Sequence, residues 1–354
     1  MIPRQTLGIL WIIKTIALVL ALVDMCNPTI ALSAATPTPK NWLVVDFDGT
    51  CTVRDTITML PRLASLASSR KQQQTGFDNG NKLTPDAAME LQSRLSIFSM
   101  LENEYFRQYK DAMETMEPEE DKTIDNLDKL AESIDKLDAV STSITREVSN
   151  WRVLGGLGDV SKPEMLELID LYKENQAKLE PKKIGDLEVD LEELLDCLSL
   201  QDNCLSVLQN CASKEYGIGV LSINWCPTLI ESILVHPLCA ENEKLDIPIW
   251  CNTVDGEGIV DLPFEGAIAK REKISDLQKD DSRVVYVGDS STDLLAILQA
   301  DVGILLGGSK SAAGLAQRYG VSVQPLSECD DNASGNVVWT ADSWEEIRSF
   351  LKTR

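Results

Sequence analysis

An α/β fold, built on a doubly wound and mainly parallel sheet with an all-helical domain inserted near its start, follows from three patterns in this sequence. Short apolar runs recur through the second half and alternate with helical segments, which implies parallel pairing with crossover helices. A similar run, Trp42 to Val45, stands alone far upstream, and helical periodicity fills most of the stretch between it and the others. Several of these runs end in polar residues, and in such sheets ligands bind beyond the carboxyl ends of the strands.

Taken in order, residues 1–35 are a different kind of sequence. Arg4 precedes an apolar run from Leu7 to Val23, broken by Lys14, and small residues follow around Ser33. That is the pattern of a secretory signal peptide with cleavage near Ser33. A membrane anchor is the rival, since the run is near the lower limit for spanning a bilayer. Lys14 and the small-residue site favour cleavage and hence no stable membrane span. The expected location is the secretory lumen or the exterior, or a plastid reached through the secretory route in an organism that has one.

The sheet domain is expected over 41–58 and 214–354, and the helical insertion over 59–213. Within the insertion, the polar stretch 68–82 predicts a mobile loop. Thr84-Pro85 reads as the N-cap and first turn of a helix running to about Met116. From Glu119 to Ser149, Ile124, Leu127, Ala131, Ile134, Leu137, Ile144 and Val148 recur mostly at three or four and predict one amphipathic helix with a solvated acidic face. Leu154 to Gly158 interrupts the pattern, and Ser161 with Pro163 and Glu164 starts another helix. Cys197, Cys204 and Cys211 repeat every seven residues, about 10 Å apart on a helix and too far for disulfides among themselves, so they predict a buried stripe. Strands are expected at Ile218 to Ile223, Ile247 to Asn252, Arg283 to Asp289, Val302 to Leu306 and Val321 to Gln324.

The charge balance removes whole classes of function. A formal net charge of −23 argues against nucleic-acid backbones and anionic membranes, which need clustered Lys and Arg. The single histidine, His236, matches no motif and reads as structural. Carboxylates are left to do the chemistry.

Asp46 and Asp48 close the first strand, and a spacing of two puts both side chains on one side of an extended backbone. Gly49 permits a sharp turn after them, and Thr50 adds a hydroxyl at the rim. A second strand runs to Ser222, and a third runs into "YVGDSSTDLLA", with Asp289 at its tip and Asp293 one turn on. Four carboxylates on one edge would repel each other without a cation. A hard divalent metal with oxygen ligands, Mg²⁺, suits them together with a substrate phosphate.

These residues resemble the haloacid dehalogenase superfamily, whose first motif, DxDxT, stands here as Asp46-Phe47-Asp48-Gly49-Thr50. Ser222 fits its second motif, a lysine near Lys273 its third, and "GDSSTD" its fourth. The wording "DFDGTCTVRDT", "LSINWC" and "VYVGDSSTDLLAILQADVGI" is similar to the phosphatase half of the plant bifunctional thiaminase-II-like/thiamin monophosphate phosphatase, and also to the phosphoserine phosphatase-like branch. The resemblance implies a Rossmann-like sheet, a helical cap and a Mg²⁺-dependent phosphatase acting on a small phosphate ester. It makes Asp46 the nucleophile, which forms an aspartyl phosphate, and Asp48 the general acid and base. It places Asp46, Asp289 and the backbone carbonyl of Asp48 on the metal, with Asp293 coordinating or orienting bound water. Ser222 and a lysine hold the phosphoryl oxygens; Lys273 is the first candidate and Lys270 fits a looser pattern.

By the same resemblance the insertion closes over the site, and Asp55 occupies a hinge position where the phosphoserine-type branch carries a substrate-binding Glu. Asn224 and Trp225, just past Ser222, are candidates for the leaving-group pocket, with Trp225 able to stack on a ring or a cation; a core tryptophan is the alternative. The best substrate expected is thiamin monophosphate or a related heterocyclic alcohol phosphate. The competing readings are a phosphoserine-type phosphatase, a phosphotransferase, and a non-catalytic module whose acidic cap helices recruit a partner.

Overall fold

The first strand, β1 (Asn41–Val45), reads NWLVV and is buried along nearly its whole length, as a strand flanked on both sides and covered on both faces must be. The structure, a computed structural model, describes residues 39–72, 85–116, 126–176, 197–214, 216–240, 245–279, 281–329 and 337–352. The leader at 1–35 lies outside them. No helix among the described residues is long and apolar enough to cross a membrane.

Seven parallel strands form the sheet in the order β3-β2-β1-β6-β7-β9-β8. They are β1, β2 (Gly217–Leu221), β3 (Ile249–Trp250), β6 (Arg283–Gly288), β7 (Val302–Leu306), β8 (Ser322–Pro325) and β9 (Val337–Ala341). A separate antiparallel hairpin pairs β4 (Thr253–Val254) with β5 (Val260–Asp261). The chain winds outward from β1 through β2 to β3, then returns to the other side of β1 at β6. β1 is therefore the switch point, where a crevice opens beyond the strand ends.

Alternation along β1 feeds two cores. Leu43 and Val45 join the cluster on one face of the sheet, and Trp42 and Val44 the cluster on the other. Helices cover both faces: α6 (Ala267–Gln278), α7 (Leu294–Gln299) and α8 (Lys310–Arg318) contribute to the second cluster. α5 (Cys204–Ala212) and the last helix, α9 (Trp344–Lys352), contribute to the first.

Between β1 and β2 stand the inserted helices α1 (Leu60–Gln72), α2 (Pro85–Thr115), α3 (Asn126–Asn150) and α4 (Lys162–Gln176). α4 starts as expected: the Glu164 carboxylate accepts hydrogen bonds from the N–H and hydroxyl of Ser161. The two linkers joining insertion and sheet domain are tied together, since Val53 N donates to Ser199 O at 2.9 Å and Gln201 N to Cys51 O at 2.8 Å.

Three expectations are revised. The loop placed at 68–82 overlaps α1, which continues to Gln72, and its remainder lies outside the described residues. α5, assigned to the insertion, packs against β2 and α9; Cys197, Cys204 and Cys211 are buried as anticipated, but Cys197 lies in a turn ahead of α5 and not on one helix with the other two. β9 had not been foreseen, yet it pairs with β7 and β8 and carries Trp339 into the core.

Candidate active site

Parallel register sets the site. Val45 of β1 lies opposite Val220 of β2 and Val287 of β6, so the residues just past each strand, Asp46, Ser222 and Asp289, meet at one edge. The Asp46 N–H extends the ladder to Val287 O at 2.9 Å and pins the first of them. Gly49 then turns back with φ +72°, and a Cβ there would collide with the Asp289 carboxylate, so this turn needs glycine for both its backbone and its clearance.

Lys270 is the cation at this edge. Its side chain is fully buried, and Nζ lies 2.9 Å from Asp46 Oδ1 and 2.7 Å from Asp293 Oδ1. Lys273, the first candidate from the sequence, is elsewhere: its Nζ sits 4.1 Å from the centre of the Trp250 ring. One turn of α6 decides between them, because Ala267, Lys270 and Ile274 share the face that packs inward.

Asp293 is saturated with donors. Lys270 and the Tyr286 hydroxyl reach Oδ1, while the Ser290 N–H, the Ser290 hydroxyl and the Asp289 N–H reach Oδ2. Burial opposes its charge, but Lys270 and these hydrogen bonds outweigh it and hold the carboxyl below the usual carboxylate value. The same partnership keeps the Lys270 ammonium charged: burial works against it, and Asp293 and Asp46 together raise it well above the ordinary lysine value.

One ammonium cannot satisfy every neighbour. Burial, then Asp293 and Asp48, push Asp46 up to about 7 against the pull of Lys270. Burial, then Asp293 and Asp46, push Asp289 up to about 8, although the Thr50 hydroxyl donates to its Oδ1 at 3.1 Å. Asp46, Asp289 and Asp293 each bring a carboxylate oxygen within 4.8 Å of the others. An all-oxygen set with two uncompensated charges in its ionised form fits a small, hard divalent cation.

Asp48 is turned away from that cluster. Its Oδ1 accepts from the Thr56 N–H and hydroxyl, each at 2.7 Å, and its Oδ2 from Asn224 Nδ2 at 2.7 Å. With its carboxylate taken up by Thr56 and Asn224, Asp48 has no side-chain place in the cation cluster, and the expected metal contact through its backbone carbonyl is unaffected. Burial, then the nearby Asp55, push it up to about 7, with Asn224 and Thr56 opposing.

The substrate candidates separate. Thr50 is fully buried and braces Asp289 rather than facing a ligand. Asn224 spends both ends of its amide internally, Nδ2 on Asp48 and Thr56 and Oδ1 on the Cys226 N–H, so it positions Asp48 and does not line a pocket. Trp225 is packed in the core among buried apolar residues, too enclosed to stack on a leaving group. Asp55 is an exposed residue whose Oδ1 accepts from the Ile57 N–H at 2.7 Å; the protein around it, then Asp289, Asp46 and Glu102 of α2, raise it to about 6 against that hydrogen bond. Ser222 is buried, and its Oγ accepts from the Asn224 N–H while keeping its own proton to offer.

Sequence reasoning missed the supporting cast. Thr56 and Tyr286 hold Asp48 and Asp293, and Tyr109 of α2 bonds the Ser291 hydroxyl at 2.9 Å, laying the insertion over the edge that carries Asp289. Thr56 follows the first motif closely enough to be suspected; nothing local marks the other two.

No family model matches the chain. Its sequence is similar to the Bifunctional TH2 protein, mitochondrial, of Arabidopsis thaliana, with 24% identity over 339 residues covering 88% of this chain and 49% of that protein. The chain thus spans about half the length of the curated relative it matches. Among solved structures, a phosphoserine phosphatase in a phospho-aspartyl intermediate analogue form aligns with 88% of this chain and 99% of its own, at 13% identity and a TM-score of 0.42. A cytosolic 5'-nucleotidase IIIB bound to cytidine covers 89% of this chain and 86% of its own, at 11% identity and a TM-score of 0.40. Structural likenesses this distant carry no argument about chemistry. In the motif residues gathered on one sheet edge the chain resembles the haloacid dehalogenase superfamily, and in sequence it is similar to the plant bifunctional protein.

Proposed function

We propose that the chain is a Mg²⁺-dependent phosphomonoesterase that works through an aspartyl phosphate on Asp46. The observation that carries this reading is the charge arrangement at the sheet edge: Asp46 faces one buried ammonium, Lys270, beside a carboxylate cluster suited to a divalent cation. Bound there, Mg²⁺ would be held by Asp46 and Asp289 and would supply charge neutralisation for the incoming phosphate, while Asp293, its oxygens taken up by donors, anchors Lys270 and orients the metal's bound water. Asp46 attacks phosphorus, and the bond to the leaving oxygen breaks as the Asp46–phosphorus bond forms. Asp48, held at its carboxyl by Thr56 and Asn224, protonates the leaving oxygen and then takes a proton from the water that cleaves the intermediate; a value near 7 suits both tasks. Ser222 and Lys270 hold the phosphoryl oxygens as charge spreads over them.

For the substrate we favour thiamin monophosphate or a related phosphate of a small heterocyclic alcohol. The sequence similarity to the plant bifunctional protein supports this, as does the acidic charge of Asp55, with Glu102 beside it, near Asp289 and Asp46, which suits a cationic leaving group. Comparing kcat/KM for thiamin monophosphate, phosphoserine and a hexose phosphate tests it. A tenfold preference for phosphoserine, about 1.4 kcal/mol in the barrier, would reject the substrate while leaving the chemistry standing. We further propose that residues 1–35 direct the chain into the secretory route; a reporter fused to them that stays in the cytosol would contradict this.

A further inference from the structure

Asp138 lies on α3, in the insertion, and its carboxylate is buried where that helix meets the start of α6 in the sheet domain. Its Oδ2 accepts a hydrogen bond from the Ala267 N–H at 2.7 Å, and Ala267 is the first residue of α6. The N-cap position of α6 is Gly266, which has no side chain to satisfy the free N–H groups at the helix start. The cap comes instead from across the boundary between insertion and sheet domain. Gly266 is also the residue that leaves room for it, because a Cβ there would strike the Asp138 carboxylate.

Three residues further along the same buried face, Lys270 carries its ammonium to Asp46 and Asp293. The bond that seats the insertion therefore also fixes the first turn of the helix that aims the site's cation. Other hydrogen bonds between insertion and sheet domain among the described residues, such as Tyr109 to Ser291, Ser133 to Tyr319 and the Val260 N–H to Ser149, do not touch α6. The Asp138 bond, by contrast, links the insertion to the lysine-bearing helix.

We propose that Asp138 is a positioning residue that couples seating of the helical insertion to the placement of Lys270. The proposal rests on the phosphatase reading of the site. With the insertion seated, the first turn of α6 is capped and Lys270 points between the two carboxylates. With it lifted, the Ala267 N–H loses its acceptor and the turn that holds Lys270 is free to fray. Misplacing a charge-stabilising group by about 1 Å is enough to cost on the order of 10²-fold in rate, so partial loss of this cap is visible in kcat.

The test uses the full chain with Mg²⁺ and p-nitrophenyl phosphate, well below the unfolding temperature. kcat, KM and inhibition by inorganic phosphate are measured for the wild type, Asp138→Asn, Asp138→Ala, Gly266→Ala and Ser133→Ala. Asp138→Ala removes the acceptor and Gly266→Ala pushes it aside, so the idea stays open to refutation if one of them does not fold. Both should lose about tenfold in kcat, and inorganic phosphate should bind about tenfold more weakly. Asp138→Asn, whose amide oxygen still accepts from Ala267, should stay within about threefold of wild type. Ser133→Ala should keep wild-type kcat. Wild-type kcat and phosphate inhibition in a folded Asp138→Ala or Gly266→Ala protein would overturn the proposal, as would equal losses in Ser133→Ala. An inactive wild type would count against the phosphatase reading instead.

Discussion

Replacing Lys270 by Met should cost both stability and turnover, and replacing Lys273 by Met should be nearly silent. Lys270 is fully enclosed, with Nζ 2.9 Å from Asp46 and 2.7 Å from Asp293. Without it, two carboxylates face each other in the interior, and breaking a buried pair in this way costs about 3–5 kcal/mol. The pH dependence has a definite sign. Asp293 is held below the ordinary carboxylate value, so its contribution to stability is present above that value and lost as pH falls. The variant has lost that contribution already, and its crowded carboxylates take up protons readily in acid. Its deficit is therefore largest near pH 7.5 and shrinks toward pH 4. Turnover should fall by about 10²–10³-fold as well, the usual cost of removing one donor from developing charge. Lys273 is half-exposed and gives up only its contact with Trp250, worth about 0.5–1 kcal/mol, with kcat unchanged. Urea titrations at three pH values and steady-state kinetics read both effects. If Lys273→Met abolishes turnover and Lys270→Met spares it, the assignment of the site cation is wrong.

Asp46→Asn should abolish turnover with the fold intact by circular dichroism, since it swaps the nucleophile for a group of nearly the same shape. Asp48→Asn should lose about 10²–10⁴-fold in kcat, the range for general acid–base help. EDTA should silence the wild type and Mg²⁺ restore it; full activity after exhaustive metal removal would mean the carboxylate cluster has another purpose. Asp138 is raised to about 7 by burial first, with Asp135 and Asp293 adding to this and the Ala267 N–H and Lys270 opposing it. A carboxyl raised on folding favours the native state below its unfolded value and loses that advantage as pH rises through the folded one. The stability of Asp138→Asn relative to wild type should therefore grow between pH 4 and pH 8, by at most about 4 kcal/mol, and a flat difference would refute the burial argument.

The sheet and its acidic edge were legible because both leave local marks. A buried strand reads as an apolar run, and an aspartate at its end is costly unless it has a partner, so Asp46, Asp48, Asp289 and Asp293 stood out before any contact was known. The choice of lysine was within reach as well: Ala267, Lys270 and Ile274 follow the spacing of one helix face, and Lys273 does not. Adjacency to Ser222 misled for Asn224 and Trp225, because the backbone past β2 turns one into the support of Asp48 and the other into the core. β9 was missed because its five residues follow a polar stretch rather than a helical run, so nothing local signals a parallel crossover to it. Asp138 and Tyr109 could not be found at all, since helical periodicity says which face is apolar but not which polar residue on it meets another domain.

Trapping the phosphoenzyme tests the central claim most directly. The full chain with Mg²⁺ is mixed with a ³²P-labelled ester that it hydrolyses, quenched in acid within the first turnover, and digested for mapping. The account predicts an acyl phosphate, released by hydroxylamine, on the peptide containing Asp46, and no label in Asp46→Asn. Turnover by the wild type with no labelled intermediate, or with label on a residue other than Asp46, would contradict it.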